Sequence, residues 1–286
     1  MGEGHIKRVT VLTHGVSQVA ADTLLETLGV LREKGVEVLV PQVERDKHAQ
    51  VLDGFPEVQT LEASDDLSGV DMCLVLGGDG TMLRGFRMTL DLSTPVAGVN
   101  LGRVGFLTTI ERDLLAPGLS RLLAGDFNEF PLLGLEAEVD RDTFRATNDV
   151  VVCKGERAGA CSLRLKINGV SLFEVQCDGV VVGTPAGSSA YSLAAGGPLL
   201  GISVEAYVIS LVAAHAVGTR PVVAAPADVL EITNIDVADC CVDVDGQRVR
   251  SLSPGGVVRV RTTPAMTSLV LLEGDSLYHH FRDRLL

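Results

Sequence analysis

The chain has 286 residues, of which 46% are hydrophobic and 21% are charged, a balance typical of folded globular proteins and not of disordered ones. Its formal net charge of -13 argues against nucleic-acid binding, because an acidic surface repels a phosphate backbone. Any anionic ligand must therefore be held by backbone amides, a few placed cations or a metal ion.

The first 125 residues alternate strand and helix patterns. The predicted strands are residues 9–12, 36–40, 70–76 and 95–99, and the predicted helices are 17–34, 81–90 and 111–123. Such alternation indicates a doubly wound, mainly parallel sheet with ligands at the carboxyl ends of its strands. We therefore predict an N-terminal doubly wound α/β domain over residues 1–125.

After Gly125 the pattern changes to short β runs separated by turn signals such as Asn168-Gly169 and Asp245-Gly246. Strands are predicted at 132–139, 143–152, 162–167, 172–177, 180–183, 206–212, 229–233, 240–244 and 257–260. One helix-like segment, 188–195, interrupts them, and residues 277–286 again look helical. We predict a C-terminal β-sandwich-like domain over residues 126–264.

The predicted strand 70–76 runs directly into Gly77-Gly78-Asp79-Gly80-Thr81, and a helix follows. Glycines permit positive φ and close approach of a ligand, so successive amides can face one anion, and the helix adds its positive end. Thr81 can cap the helix or contact a phosphate oxygen, and Arg84 can face the same anion. The turn predicts a phosphate-binding site and a phosphoryl-transfer enzyme.

Asp79 is an acid in the middle of this anion-binding turn. It would repel phosphate unless it serves a metal ion or accepts a proton from an attacking hydroxyl. The Walker pattern is absent, and the third glycine of the dinucleotide fingerprint is replaced by Leu83. The alternative is a tight turn after a buried strand, although three glycines cost stability that a plain turn does not require.

Two further motifs lie in the β-rich region. Asn148 and Asp149 are adjacent polar residues in an apolar strand, so at least one is expected to meet a polar partner; a strand-end turn is the alternative. The run 178–198 leads from a strand through a Gly/Pro/Ser turn into a helix and a double glycine. Its small residues beside Tyr191 suit a flat ligand pressed against the backbone.

Together these motifs resemble the NAD kinase family, which phosphorylates the adenosine ribose 2′-hydroxyl of NAD to make NADP. The likeness spans about residues 70–250 and keeps the family's order. Besides the motifs above, the matching segments are Asn100-Leu-Gly-Arg-Val-Gly-Phe106-Leu, His215…Arg220-Pro221 and Asp245-Gly246-Gln247.

The resemblance implies a role for each matching residue. Asp79 corresponds to the catalytic base or orienting acceptor for the 2′-hydroxyl, and Asp178 to an acid near the nicotinamide half. Segment 265–286 is expected to return to the α/β phosphate-donor domain, leaving 126–264 as the NAD-binding domain. No residue is assigned to a metal, and the residues expected to bind nucleotide are Gly77, Gly78, Gly80, Thr81, Arg84, Phe106, Asn148, Asp149, Asp178, Ser189, Ala190, Tyr191, Ser192, Leu193, Ala194 and Gln247.

The resemblance also implies NAD as acceptor, ATP or polyphosphate as donor, a divalent cation such as Mg²⁺, and a homodimer or homotetramer. No nucleic-acid or membrane partner is expected. The chain departs from the family's usual pattern at Gly183, Ala186 and Ser189, and at Ala186 a hydroxyl is lost. A related lipid or sugar kinase and a non-catalytic NAD-binding regulator are the alternatives.

The six cysteines predict a cytoplasmic protein with reduced thiols. None forms a Cys-x-x-Cys pair, and no Cys/His cluster has zinc-site spacing. No signal-peptide pattern is recognised near residues 5–8, and the longest apolar stretch, 206–217, is too short to span a bilayer.

Overall fold

The computed structural model describes residues 6–61, 67–92, 94–102, 105–155, 159–215 and 218–285, with side chains described up to Arg282. The chain forms two compact units, Met1–Pro131 with Met266–Leu286, and Leu132–Ala265. The boundary predicted at 125/126 falls one strand early, because Phe127–Pro131 pairs within the sheet of the first unit. Residue 286 of the predicted last helix lies outside the described residues.

The secondary structure follows the predicted alternation, with several additional short elements. The helices are α1 (Ser17–Glu33), α2 (Gln42–Lys47), α3 (Ala49–Leu52), α4 (Asp79–Met88), α5 (Leu115–Leu123), α6 (Tyr191–Ala194) and α7 (Leu277–Leu285), with 3₁₀ turns at Arg112–Leu114 and Ala186–Ser189. The strands are β1 (Arg8–Thr13), β2 (Glu37–Pro41), β3 (Gln59–Leu61), β4 (Met72–Gly77), β5 (Val96–Asn100), β6 (Ile110–Glu111), β7 (Phe127–Pro131), β8 (Gly134–Val139), β9 (Asp142–Ala146), β10 (Asp149–Lys154), β11 (Cys161–Ile167), β12 (Val170–Cys177), β13 (Gly179–Gly183), β14 (Tyr207–Val212), β15 (Val222–Ala224), β16 (Leu230–Asn234), β17 (Cys240–Val244), β18 (Gln247–Leu252), β19 (Val257–Thr263) and β20 (Ser268–Leu272).

The first unit is built on one sheet of strand order β3-β2-β1-β4-β5-β20-β7, with β6 also paired to β5. Strands β1 to β5 and β20 are parallel, and β7 is antiparallel to β20. Every residue of β4 is buried, as expected for a strand covered by helices on both faces. The predicted doubly wound α/β fold is confirmed, and its strand order reverses between β1 and β4.

The second unit contains two antiparallel sheets, of orders β15-β14-β13-β10-β17-β18 and β12-β11-β16-β19-β8-β9. Alternate residues of both sheets, among them Val150 and Val152 on β10 and Leu163 and Leu165 on β11, belong to one buried apolar cluster. Alternation of this kind places one face of each sheet in a shared core. The predicted all-β, sandwich-like domain is confirmed.

Local turn chemistry explains two of the connections. Asn168-Gly169 joins β11 to β12 with φ of 50° and 79°, and Asp245-Gly246 joins β17 to β18 with φ of 47° and 73°. Two consecutive positive φ angles suit the right-handed twist of a hairpin, and Asn, Asp and Gly tolerate them best. Both predicted hairpins are confirmed.

Two predicted elements are divided in the structure. The run 143–152 forms β9 and β10, which lie in different sheets, and the chain crosses between them at Thr147 and Asn148. The predicted helix 188–195 is interrupted at Ala190, whose ψ of -125° is not helical.

Candidate active site

A pocket of about 340 Å³ lies at the carboxyl ends of β1, β4 and β5 in the first unit. Helices α1 and α4 begin beside it, and the first turn of a helix carries unpaired amide N–H groups and the positive end of the dipole. The pocket also coincides with the reversal of strand order, where open α/β sheets bind ligands. Its lining residues are His14, Gly15, Gly78, Gly80, Thr81, Arg84, Leu101 and Gly102.

The glycines of the turn serve packing and access to the backbone, not an unusual backbone conformation. None of Gly77, Gly78 and Gly80 adopts the positive φ that glycine permits. At Gly77 an added Cβ would lie 2.3 Å from Thr81 Oγ1, so packing excludes a side chain. At Gly78 and Gly80 an added Cβ would meet no described atom within 4 Å. Their bare backbone therefore borders open space, where a ligand can approach the amides.

Asp79 is the first residue of α4, and two consecutive backbone amides hold its carboxylate. The N–H of Phe106 donates to Oδ2 and the N–H of Leu107 donates to Oδ1, each at 3.0 Å. Charge-assisted hydrogen bonds of this kind fix the direction of a carboxylate. Each oxygen has a second lone pair, so the group can still accept a proton from a hydroxyl. Positions 103 and 104 of the same motif lie outside the described residues.

Arg84 lines the pocket and also belongs to a buried ionic network. Its guanidinium donates to the Thr13 carbonyl and to Glu44, both at 3.0 Å. Glu44 is 1% exposed and also binds the Thr13 hydroxyl and the Lys47 ammonium. Burial opposes ionisation of Glu44, but hydrogen bonds from Lys47, Thr13 and Arg84 lower its pKa overall. The network ties α2 and α4 to the end of β1, and the sequence motifs did not reveal it.

In the second unit, Asp245 fixes the backbone of the Asn148-Asp149 pair. Its carboxylate accepts the N–H groups of Thr147 at 3.0 Å, Asn148 at 2.8 Å and Asp149 at 3.2 Å. Asp245 is 5% exposed, and its own N–H donates to the Asp149 carbonyl at 2.9 Å. Asp245 belongs to a matching sequence motif, but the buried clamp that it forms depends on the folded chain.

The side chains of Asn148 and Asp149 are both buried and polar. Within the described part of the chain, the side-chain oxygen of Asn148 has no hydrogen-bond partner. Burial, followed by the charges of Asp245 and Asp243, raises the pKa of Asp149 to about 7. A ligand that donates hydroxyl or amino hydrogens to these oxygens would satisfy both groups.

The raised pKa of Asp149 has a measurable consequence for stability. Between pH about 4 and pH about 7 the folded protein keeps a proton that the unfolded chain has released, so the free energy of unfolding falls as pH rises through this window. Asn does not titrate, so the free energy of unfolding of Asp149→Asn should not fall in this window. Relative to wild type it should therefore rise by a few kcal/mol between pH 5 and pH 8. Urea unfolding of both proteins without nucleotide, across that pH range, measures the difference.

The matched control is Asp140→Asn. Asp140 is exposed, and its φ of 57° is one that Asn tolerates. Its unfolding curve should follow wild type at every pH. Parallel pH dependences for wild type and Asp149→Asn would refute the expected linkage.

The motif at residues 184–187 packs directly on the Asn148 backbone. Two hydrogen bonds hold Thr184 in place. Its N–H donates to the Asn148 carbonyl at 2.8 Å, and its hydroxyl donates to the Thr147 carbonyl at 2.6 Å. An added Cβ at Gly187 would lie 2.0 Å from the Asn148 carbonyl oxygen. Threonine and glycine here are thus explained by packing. Ala186 is 3% exposed, so the hydroxyl that it lacks would itself be largely buried.

The segment expected to pack against the dinucleotide divides by exposure. Ser192 is fully buried and its hydroxyl lies 3.0 Å from that of Ser210, so the expectation that its side chain binds nucleotide is not supported. Tyr191 is 43% exposed, which leaves much of its ring available to a ligand. The exposed or partly exposed side chains are those of Ser189, Ala190, Tyr191, Leu193 and Ala194.

Negative groups of the second unit act electrostatically on the phenol of Tyr191. Burial, followed by negative groups that include Asp178 and Asp149, raises the pKa of its phenol. Asp178 is half-buried and pairs with the Lys154 ammonium at 2.9 Å. Gln247, the first residue of β18, is exposed. The surface thus combines an aromatic face with hydrogen-bond acceptors, a combination suited to a nucleoside.

A metal cluster and a membrane-spanning helix are two further features that bear on function. In the described ranges, no group of three His, Cys, Asp or Glu side chains is arranged to hold a metal ion. No helix among these residues has the length and apolar character needed to cross a membrane.

Comparison with known proteins gives one consistent family. Residues 9–127 match the profile of the ATP-NAD kinase N-terminal domain, and residues 147–272 match that of the ATP-NAD kinase C-terminal domain. The NAD kinase of Moorella thermoacetica is 34% identical over 269 residues, covering 92% of this chain and 84% of its own length. That of Symbiobacterium thermophilum is 37% identical over 223 residues, with coverages of 76% and 78%.

Two solved structures share the fold. Yeast NADH kinase complexed with NADH has a TM-score of 0.88 at 21% identity, covering 99% of this chain and 88% of its own. An NAD kinase from Archaeoglobus fulgidus in complex with ATP has a TM-score of 0.68 at 22% identity, with both coverages at 97%. At these identities the likeness establishes the architecture alone.

Proposed function

The chain belongs to the NAD kinase family, and we propose that Asp79 carries its transfer of a phosphoryl group from ATP to the adenosine ribose 2′-hydroxyl of NAD. The observation that supports this role is the clamp on the Asp79 carboxylate by the Phe106 and Leu107 amides, 3.0 Å from each oxygen. The clamp lies at the start of α4, whose turn lines the pocket of the first unit.

The proposed reaction is an in-line displacement at the terminal phosphorus of ATP. The ribose 2′-oxygen forms the new bond to phosphorus as the bond to the β,γ-bridging oxygen breaks, and ADP leaves with that electron pair. Asp79 accepts the proton of the 2′-hydroxyl. The amides near Gly78 and Gly80 and the remaining N–H groups of Arg84 stabilise the charge on the transferred group.

Mg²⁺ would fit this site as an ion coordinated by the phosphates of the donor. Since no three-ligand cluster occurs among the described residues, the protein offers no cage of its own. Mg²⁺ is commonly held by one or two carboxylates together with phosphate oxygens and water, and Asp79 would be the carboxylate that supplies a protein ligand. When bound, the ion offsets the negative charge of the phosphates.

We assign recognition of NAD to the second unit. The unpartnered oxygen of Asn148 and the buried carboxylate of Asp149 supply acceptors for the hydroxyl and amino groups of a nucleoside. The exposed ring of Tyr191 supplies an apolar face. Asp178, on the same acidic surface, is assigned to the nicotinamide half by the family resemblance.

The two rival functions are less well supported. A lipid or sugar kinase would share the glycine–aspartate turn, but both matching profiles are those of ATP-NAD kinase. A non-catalytic NAD-binding regulator would have no need for a carboxylate clamped beside a phosphate pocket. The donor could also be polyphosphate, which shares its reactive phosphoanhydride bond with ATP.

The proposal is tested by pairing each donor with each acceptor. We expect NADP from NAD with ATP and Mg²⁺, and little product when EDTA removes the ion; polyphosphate and NADH are run in parallel to define the preferences. Phosphate transfer to a sugar or lipid but not to NAD would support the first rival. Calorimetric binding of NAD without any NADP formation would support the second.

We also propose a cytoplasmic homodimer or homotetramer. The six cysteines are free thiols, which is consistent with a reducing compartment. The oligomeric state rests on the family resemblance, and light scattering during size-exclusion chromatography measures it. A monomer at assay concentration with full activity would contradict it.

A further inference from the structure

A histidine of the C-terminal helix contacts the loop that holds Asp79. His280 on α7 is 9% exposed, and its Nδ1 lies 3.1 Å from the Phe106 carbonyl oxygen. Its Nε2 lies 3.2 Å from the Asp275 carboxylate. The next residue, Phe281, packs edge-to-face on the Phe106 ring with the ring centroids 5.8 Å apart. Helix α7 therefore contacts both the backbone carbonyl and the side-chain ring of Phe106.

Two of the contacts on this loop, those of His280 and of the Leu107 N–H, share a single peptide group. The carbonyl of Phe106 and the N–H of Leu107 belong to the same planar unit, and no cis peptide occurs in the described chain. In a trans peptide these two groups point in opposite directions. The Leu107 N–H donates to Asp79 at 3.0 Å, so His280 and Asp79 bind opposite ends of one peptide.

The partners of His280 are both hydrogen-bond acceptors. A carbonyl oxygen can only accept a hydrogen bond, and the Asp275 carboxylate is ionised: burial opposes this, but hydrogen bonds from His280 and the Ser276 amide lower its pKa overall. Each ring nitrogen of His280 thus faces an oxygen acceptor, so Nδ1 can donate to the Phe106 carbonyl. His279 lies 3.7 Å from the other Asp275 oxygen and is exposed.

We propose that His280 is a positioning residue for phosphoryl transfer, which orients the Asp79 carboxylate through the Phe106–Leu107 peptide. A donor on the carbonyl polarises the peptide and strengthens the hydrogen bond from its N–H, since linked hydrogen bonds reinforce one another. His280 touches neither substrate nor the reacting atoms in this scheme. The inference rests on the proposed catalytic role of Asp79.

The test separates turnover from binding. We expect His280→Ala to lower kcat by about 10- to 100-fold, the usual effect of leaving a buried acceptor such as the Phe106 carbonyl without its donor, with the KM values for ATP and NAD within about twofold. His280→Asn keeps an N–H donor near the position of Nδ1 and should restore most of kcat. His279→Ala, on the same helix and beside the same carboxylate, is the matched control and should resemble wild type.

Other outcomes separate this inference from the proposed function. If Asp79→Asn keeps wild-type turnover in the same assay, the proposed role of Asp79 fails. The relay, by which we mean the chain of contacts from His280 through the Phe106–Leu107 peptide to Asp79, fails with it. If Asp79→Asn is inactive but His280→Ala keeps its kcat, only the relay fails. A loss that His280→Asn does not restore, or a higher KM with kcat intact, also overturns it. Should His280→Ala not fold, His280→Asn must exceed His280→Gln in kcat, and equal values would contradict the relay.

Discussion

Asp79→Asn is expected to lower kcat by about 10²- to 10⁴-fold while the protein remains folded, the range usual for a lost general base. Asn has the shape of Asp but cannot take the hydroxyl proton. Its NH₂ group must also face one of the two amides, from Phe106 or Leu107, that now donate to the carboxylate. Two donors in contact leave a hydrogen bond unmade and misorient the side chain.

Steady-state kinetics with saturating NAD and ATP measure this loss, and urea unfolding confirms that the variant is folded. Asp53→Asn is the matched control, because Asp53 is an exposed aspartate of the same unit. The control should keep wild-type kcat. A folded Asp79→Asn with near wild-type turnover would eliminate Asp79 as the base.

Gly187→Ala is expected to destabilise the second unit by about 1–3 kcal/mol, the range typical of overpacking, and to raise the KM for NAD. The new Cβ would lie 2.0 Å from the carbonyl oxygen of Asn148 and 2.7 Å from its Cα. These are backbone atoms, and they cannot retreat without disturbing the hydrogen bonds from Thr184 and to Asp245. The NAD-binding pair is therefore displaced together with the strand.

Urea unfolding and the two KM values measure the effect, and the KM for ATP should change less than that for NAD. Gly29→Ala is the matched control, because an added Cβ there meets no described atom within 4 Å and the residue lies inside α1. It should be neutral or stabilising by up to about 1 kcal/mol. Wild-type stability and NAD affinity in Gly187→Ala would contradict the packing explanation.

The fold was predictable where the signal is local. An all-buried strand such as β4 and a hairpin turn such as Asn168-Gly169 are encoded within a few residues. Strands β7 and β20 were not predicted, because five residues do not specify a partner about 140 positions away, and β20 is held by pairing with β7 and β5. The domain boundary was misplaced for the same reason.

The candidate site was predictable in its motifs and not in the contacts that support them. The glycine–aspartate turn and the Asn148-Asp149 pair stand out by residue type. Asp245 and His280 act across 98 and 174 positions, and such contacts leave no local pattern. A residue's type also does not determine the conformation or contact that it adopts. The glycines of the turn permit positive φ but do not adopt it, and the Ser192 hydroxyl faces the buried Ser210 hydroxyl.

The most direct measurement is the position of the transferred phosphate. After incubation of the wild-type protein with NAD, ATP and Mg²⁺, the product should be NADP phosphorylated at the adenosine 2′-hydroxyl, with one ADP formed for each NADP. Asp79→Asn should form almost none. Phosphate on another hydroxyl or another acceptor, or ATP hydrolysis without NADP, would contradict the assignment of this chain's reaction to the ribose 2′-oxygen.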